Sequence, residues 1–157
     1  MSSSRALILA AALVAGCGFQ PVLAPGGAGA ALRGQTTVEV PADVLGYRLR
    51  QHMLDRLGRG EAARFALSID SRSTIESGAV TGDNATTRYR LVGTADYVLR
   101  DAAGAVLAQG NVESFTGYSA TGSTVASAAA RTDAESRLAV ALADLILARL
   151  YAAAPAS

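Results

Sequence analysis

From Thr36 onward the apolar positions follow two periods, one of two residues and one of about four. Thr36, Val38 and Val40 share one face, with Thr37 and Glu39 on the other. That alternation predicts a short strand, closed by Pro41. Leu45, Leu49, Met53 and Leu57 then recur every four residues, flanked by Val44 and Leu54. The stripe predicts an amphipathic helix with Asp43 as its N-cap and Gly58 as its stop. Gly46, inside it, costs about 1 kcal/mol relative to alanine on propensity alone.

The period now drops to two. Phe65, Leu67, Ile69 and Ile75 face one way, and Arg64, Ser68, Asp70 and Glu76 the other, up to about Ser77. This predicts a half-buried strand. Gly78 to Thr86, with Gly82-Asp83-Asn84, is turn material for a hairpin. The returning strand puts Tyr89, Leu91, Gly93, Ala95, Tyr97 and Leu99 on one side. Arg88, Arg90, Thr94, Asp96 and Arg100 lie on the other, with Val92 and Val98 among them. After a turn at Asp101–Gly104, a strand from Val106 to Thr116 completes an antiparallel meander, apolar through Val106, Ala108 and Val112. Gly117 to Gly122 is expected as loop, carrying Tyr118. A last helix, capped by Ser123 or Thr124, runs to about Tyr151. Leu138, Leu142 and Leu145 form its stripe, joined by Ala141, Ile146 and Leu150. The order β-α-β-β-β-α predicts an α+β sandwich with helices against one face of a mostly antiparallel sheet.

The N-terminal pattern is of another kind. Arg5 precedes an apolar run from Ala6 to Gly16, which ends in the small pair Ala15-Gly16 and then Cys17. A basic start, a short apolar core and small residues at the cut describe an export signal. The cysteine directly after the cut makes it a lipobox, with lipid on the Cys17 thiol and cleavage after Gly16. A cut elsewhere and an uncut anchor are the competing readings, but a spanning helix needs about 20 apolar residues. The expected organisation is a signal peptide at 1–16, a lipidated tether at 17–35, a single domain at 36–151 and a disordered tail at 152–157. Gly18 after the cysteine, rather than aspartate, favours outer-membrane delivery.

Composition narrows the function. Half the residues are apolar and 5% aromatic, and the basic residues are all arginine. Without Arg5, thirteen arginines face thirteen carboxylates. A near-neutral domain provides no field for nucleic acid. One cysteine excludes a disulfide framework. One histidine, His52, without a G-x-S-x-G elbow gives no triad, and it reads as a surface or boundary residue. No zinc site of the usual ligands can be built, and neither metal nor cofactor is expected. The glycines at 26–29 lack the lysine of a phosphate loop. Asp133 and Glu135, two apart on a helix, do not face each other. The inventory points to binding rather than catalysis. Arg88 and Arg90 stand about 7 Å apart on one strand face, and with Arg100 they make a basic strip beside Thr87 and Thr94. Arginine's planar fork suits phosphate. The plain alternative is a solvated face balanced by Asp96 and Glu113.

With these features in view, the chain resembles the lipopolysaccharide-assembly lipoprotein family LptE, also called RlpB. The carriers are Cys17-Gly18-Phe19-Gln20, the strand from Tyr89-Arg90-Leu91 to Tyr97-Val98-Leu99, and the final helix ending Leu145 to Leu150. The resemblance implies two helices packed on one face of a four-stranded sheet. It implies a lipid-anchored protein on the periplasmic face of the outer membrane, lodged in the lumen of the LptD β-barrel as plug and assembly partner, and binding lipopolysaccharide. Contacts to lipid A phosphates fall to arginine in a chain without lysine, and Arg88 and Arg90 are the candidates. A different class of function, an auxiliary lipoprotein of an ABC-type envelope transport system, shares the lipobox. An envelope enzyme would need a catalytic residue that the inventory lacks.

Overall fold

The computed structural model describes residues 27–60, 63–78 and 88–153. Its elements are α1 (Ala28–Leu32), β1 (Thr36–Glu39), α2 (Val44–Leu57), β2 (Phe65–Ser77), β3 (Arg88–Asp101), β4 (Val106–Ser119) and α3 (Thr124–Ala153). The strands form one sheet in the order β1-β2-β3-β4. β1 runs parallel to β2, with Thr36 opposite Phe65, because α2 carries the chain back between them. β2–β3 and β3–β4 are antiparallel. This is the expected α+β class, with α2 and α3 on one face.

Local chemistry sets the boundaries. Asp43 caps α2 by accepting the Gly46 N–H at 2.7 Å. Gly58 ends it with φ of 74°, a conformation that costs a side chain but not glycine, and its N–H donates to the Leu54 carbonyl. Ser123 Oγ accepts the Ala126 N–H and starts α3. The core is then the sum of the inward faces. Leu45, Leu49, Met53 and Leu57 bring the predicted α2 stripe onto Leu67, Ile69, Leu91, Tyr97 and Leu99 of the sheet.

Five expectations change. Ala28–Leu32, placed in the tether, form a helical turn whose Leu32 is buried, and Thr36 Oγ1 donates to the Leu32 carbonyl at 2.8 Å. β4 does not stop at Thr116 but runs to Ser119, because Arg88, Tyr89 and Arg90 are there to pair with it. Val106 is exposed, since the register slips between Leu99 and Arg100 and turns it off the inner face. Leu145 is exposed too. The buried stripe of α3 follows Leu138, Leu142, Ile146 and Leu150, with Ala139, Ala143 and Leu147 beside it. α3 also continues through Ala152 and Ala153, two residues assigned to the tail. The expected signal peptide, Cys17, most of the expected tether and the expected β2–β3 turn after Gly78 lie outside the described residues.

α2 and α3 run in the same direction. Near the start of α2, Arg48 donates to the Thr132 carbonyl and to Ser136, whereas His52 and Arg56, further on, meet Asp144. Both helices therefore finish at one end of the sheet, the lower end, together with α1 and the β3–β4 turn. The upper end holds the start of β3, the end of β4 and the N-termini of both helices.

Candidate functional site

Strand alternation leaves the outer sheet face polar, and no helix covers it among the described residues. Arg88 and Arg90 are exposed on that face at the upper end of β3. The register puts Arg90 opposite Gly117 and Val92 opposite Phe115. Gly117 has no side chain to fill the space, so the Arg90 guanidinium lies over the diagonal Phe115 ring, 4.0 Å from its centroid. Phe115 is 61% exposed. On the inner side, Tyr89 and Tyr118 stack with centroids 5.2 Å apart and planes 15° apart. Arg88, Tyr89, Gly117, Tyr118 and Ser119 line an open depression of about 350 Å³. From α3, Arg137 reaches the Gly117 carbonyl at 3.1 Å and ties the helix to this corner.

The expected strip divides. Arg100 lies ten residues along the same strand, about 33 Å away, where it donates to the Gly104 carbonyl. Between them the face carries Asp96, which is taken by Arg72 at 3.3 Å and Asn111 at 2.8 Å. Glu113 stands opposite Thr94. Neither carboxylate pairs with Arg88 or Arg90, and among the described residues these two arginines make no ion pair. A guanidinium held over a ring still has N–H groups to offer a two-oxygen acceptor such as phosphate. Thr87 lies outside the described residues.

Sequence reasoning missed Phe115 and Tyr118. The alternation Val112, Thr116, Tyr118 carried the strand through the glycine, and following it would have placed Phe115 on the arginine face and Tyr118 on the face of Tyr89. The other candidates have structural partners. His52 Nε2 meets Asp144 Oδ1 at 2.8 Å between the helices, a boundary position. Asp133 and Glu135 are held by Arg137 and Arg131 one turn away. Burial raises the Tyr151 phenol above its ordinary 10.0, and nearby Arg56 and Arg33 oppose that shift. No group of three or more His, Cys, Asp or Glu poised for a metal occurs among the described residues. None of the helices described is long and apolar enough to cross a membrane.

A family model for lipopolysaccharide assembly, LptE, matches residues 33–150. Solved structures share the fold. A protein described as a lipoprotein from Caulobacter crescentus CB15 is 24% identical, with a TM-score of 0.65 over 80% of this chain and 93% of that one. Rare lipoprotein B from Shewanella oneidensis is 13% identical, with a TM-score of 0.58 over 75% and 94%. A minor lipoprotein from Acinetobacter baumannii is 16% identical, with a TM-score of 0.53 over 76% and 91%. No curated protein matches the chain.

Proposed function

Because the chain belongs to the LptE family of lipopolysaccharide-assembly lipoproteins, we propose that it is the lipid-anchored plug and assembly partner of the LptD β-barrel and that it binds lipopolysaccharide. The observation that carries the reading is the family match, which runs from Arg33 through Leu150 and so takes in every strand, α2 and all but the last three residues of α3. In this reading residues 1–16 are removed, Cys17 carries the lipid, and the domain sits at the periplasmic face of the outer membrane. A polar outer sheet face suits a barrel lumen, whose wall is itself polar. The protein acts by binding and positioning, not as an enzyme. The deciding experiment is a detergent pull-down of the tagged full-length protein from its own membranes. A large β-barrel protein recovered in stoichiometric amount supports the plug. Recovery of inner-membrane transporter subunits without a barrel sinks it in favour of the auxiliary-lipoprotein role.

Three substitutions test the parts. Cys17→Ser removes the thiol that takes the lipid, and the protein, expressed without the barrel and behind a signal cut independently of Cys17, is expected to move from the membrane fraction to the soluble fraction on carbonate washing. One acyl chain holds only marginally and several hold firmly, so the shift is expected to be nearly complete. A Cys17→Ser protein that stays membrane-bound removes the lipobox reading. Arg90→Ala is expected to weaken binding to immobilised lipopolysaccharide about tenfold, the size of one charge-assisted hydrogen bond. Arg88→Ala is expected to add to that loss. Unchanged binding in the double variant removes both residues from the site.

A further inference from the structure

The lower end of the domain combines features that the plug reading does not use. It is where the described chain enters the fold: the Gly34 N–H donates to the Leu57 carbonyl at 2.6 Å, and the Arg64 N–H to the Gln35 carbonyl at 2.8 Å. Arg33, Arg59, Arg64, Arg100 and Arg149 are gathered around this end and are exposed. Among the described residues none of the five makes an ion pair. Asp101, the nearest carboxylate on the β3–β4 turn, is occupied by the N–H groups of Ala103 and Ala105, each at 2.9 Å. Asp55, which lines a shallow pocket with Arg59, and Glu61, outside the described residues, offset two positive charges and leave an excess. Apolar surface lies next to the arginines. Val106 and Leu107 are 45% and 44% exposed. Leu107 also lines a small apolar cavity with Leu32, Phe65, Leu99 and Ala153.

We propose that this end is a membrane-contacting face that seats the domain on an anionic glycerophospholipid leaflet. The inference rests on lipidation at Cys17. Ten residues separate Cys17 from Gly27, so the entry point lies within about 35 Å of the lipid, whatever path the chain takes. The end nearest the anchor carries the unneutralised cations and the exposed aliphatics. Cations with adjoining apolar side chains are what an anionic interface attracts. Arg88 lies twelve residues of β3 away from Arg100, about 40 Å. Seating the lower end therefore leaves the Arg90–Phe115 corner facing away from the bilayer.

The test uses the mature chain with Cys17→Ser, so that no lipid contributes, in co-sedimentation with vesicles. The expected result is binding to phosphatidylcholine vesicles that contain phosphatidylglycerol and not to pure phosphatidylcholine, weakening steeply with salt. Arg33→Ala and Arg59→Ala are each expected to lower the partition roughly fivefold, and roughly 25-fold together. Arg72→Ala, at the other half of the sheet, is expected to leave it unchanged. A thermal melt checks that the double variant is folded, and Arg64→Ala with Arg149→Ala replaces it if the melt is lowered. The proposal is overturned if the phosphatidylglycerol vesicles are not bound. It is equally overturned if the lower-end substitutions change nothing, or if binding occurs to lipopolysaccharide alone. Failure of the lipidation reading shows in membrane fractionation instead, so the two can fail separately.

Discussion

Leu138→Ala is expected to lower the unfolding free energy by about 2–5 kcal/mol, measured by urea denaturation of the Cys17→Ser chain. Leu138 is fully buried where α3 crosses β3. It rests on Gly93, and the fit is close. A Cβ built on Gly93 would come 2.8 Å from Leu138 Cδ2 and 3.1 Å from its Cγ. Gly93→Ala alone therefore overpacks the contact and is expected to cost about 1–3 kcal/mol, despite the usual preference for alanine over glycine in a strand. Combined, the two changes relieve each other, because the added methyl enters the space that the leucine vacates. The double variant is expected to be more stable than the sum of the singles by about 1 kcal/mol or more. Strict additivity would mean that α3 does not cross the sheet at this point.

Gly46→Ala is expected to destabilise the protein, the reverse of what helix propensity gives. On propensity alone the substitution adds about 1 kcal/mol. In the fold, a Cβ at this position would overlap the Pro41 carbonyl oxygen and would lie 3.2 Å from Asp43 Oδ1. The same Asp43 oxygen accepts the Gly46 N–H, and the Asp43 carbonyl accepts from Tyr47. Alanine must push away the backbone that holds the cap. The expected loss is about 1–3 kcal/mol, from overpacking together with a weakened cap. A raised melting temperature would refute the close approach of Pro41. The control is Asp43→Ala, which removes the cap without adding a methyl and is expected to cost about 1 kcal/mol.

Gly46 also shows where sequence patterning stops informing. The α2 stripe was legible because its four leucine and methionine positions lie among polar residues, so only one phase buries them all. α3 is mostly alanine and leucine, and several phases bury comparable area. Contact with Gly93 and with Thr116, whose hydroxyl donates to the Ala134 carbonyl, selects the phase that leaves Leu145 outside. α1 carries no period at all. Its turn exists because Leu32 fits the core and Thr36 holds its carbonyl. For the candidate site, alternation was enough to place Arg88 and Arg90 on one open face. Their aromatic neighbours depend on the β3–β4 register, which a bulge near Arg100 sets from the far end of the hairpin. The expectation at Cys17 rests on a local pattern that involves no fold.

The parallel pairing of β1 with β2 has a consequence for the order of assembly. β2, β3 and β4 are neighbours in sequence and in the sheet, so their pairing closes short loops. Thr36 meets Phe65 only after the whole of α2 has crossed back, a longer loop with a larger entropic cost. The meander and α3 can thus close first, with β1 and α2 docking onto a formed edge. α1, which leads into β1, is then among the last parts of the described chain to be fixed in place. On the proposed lipidation at Cys17, this order gives the modification time, since it keeps the leading end reachable until the final strand is added.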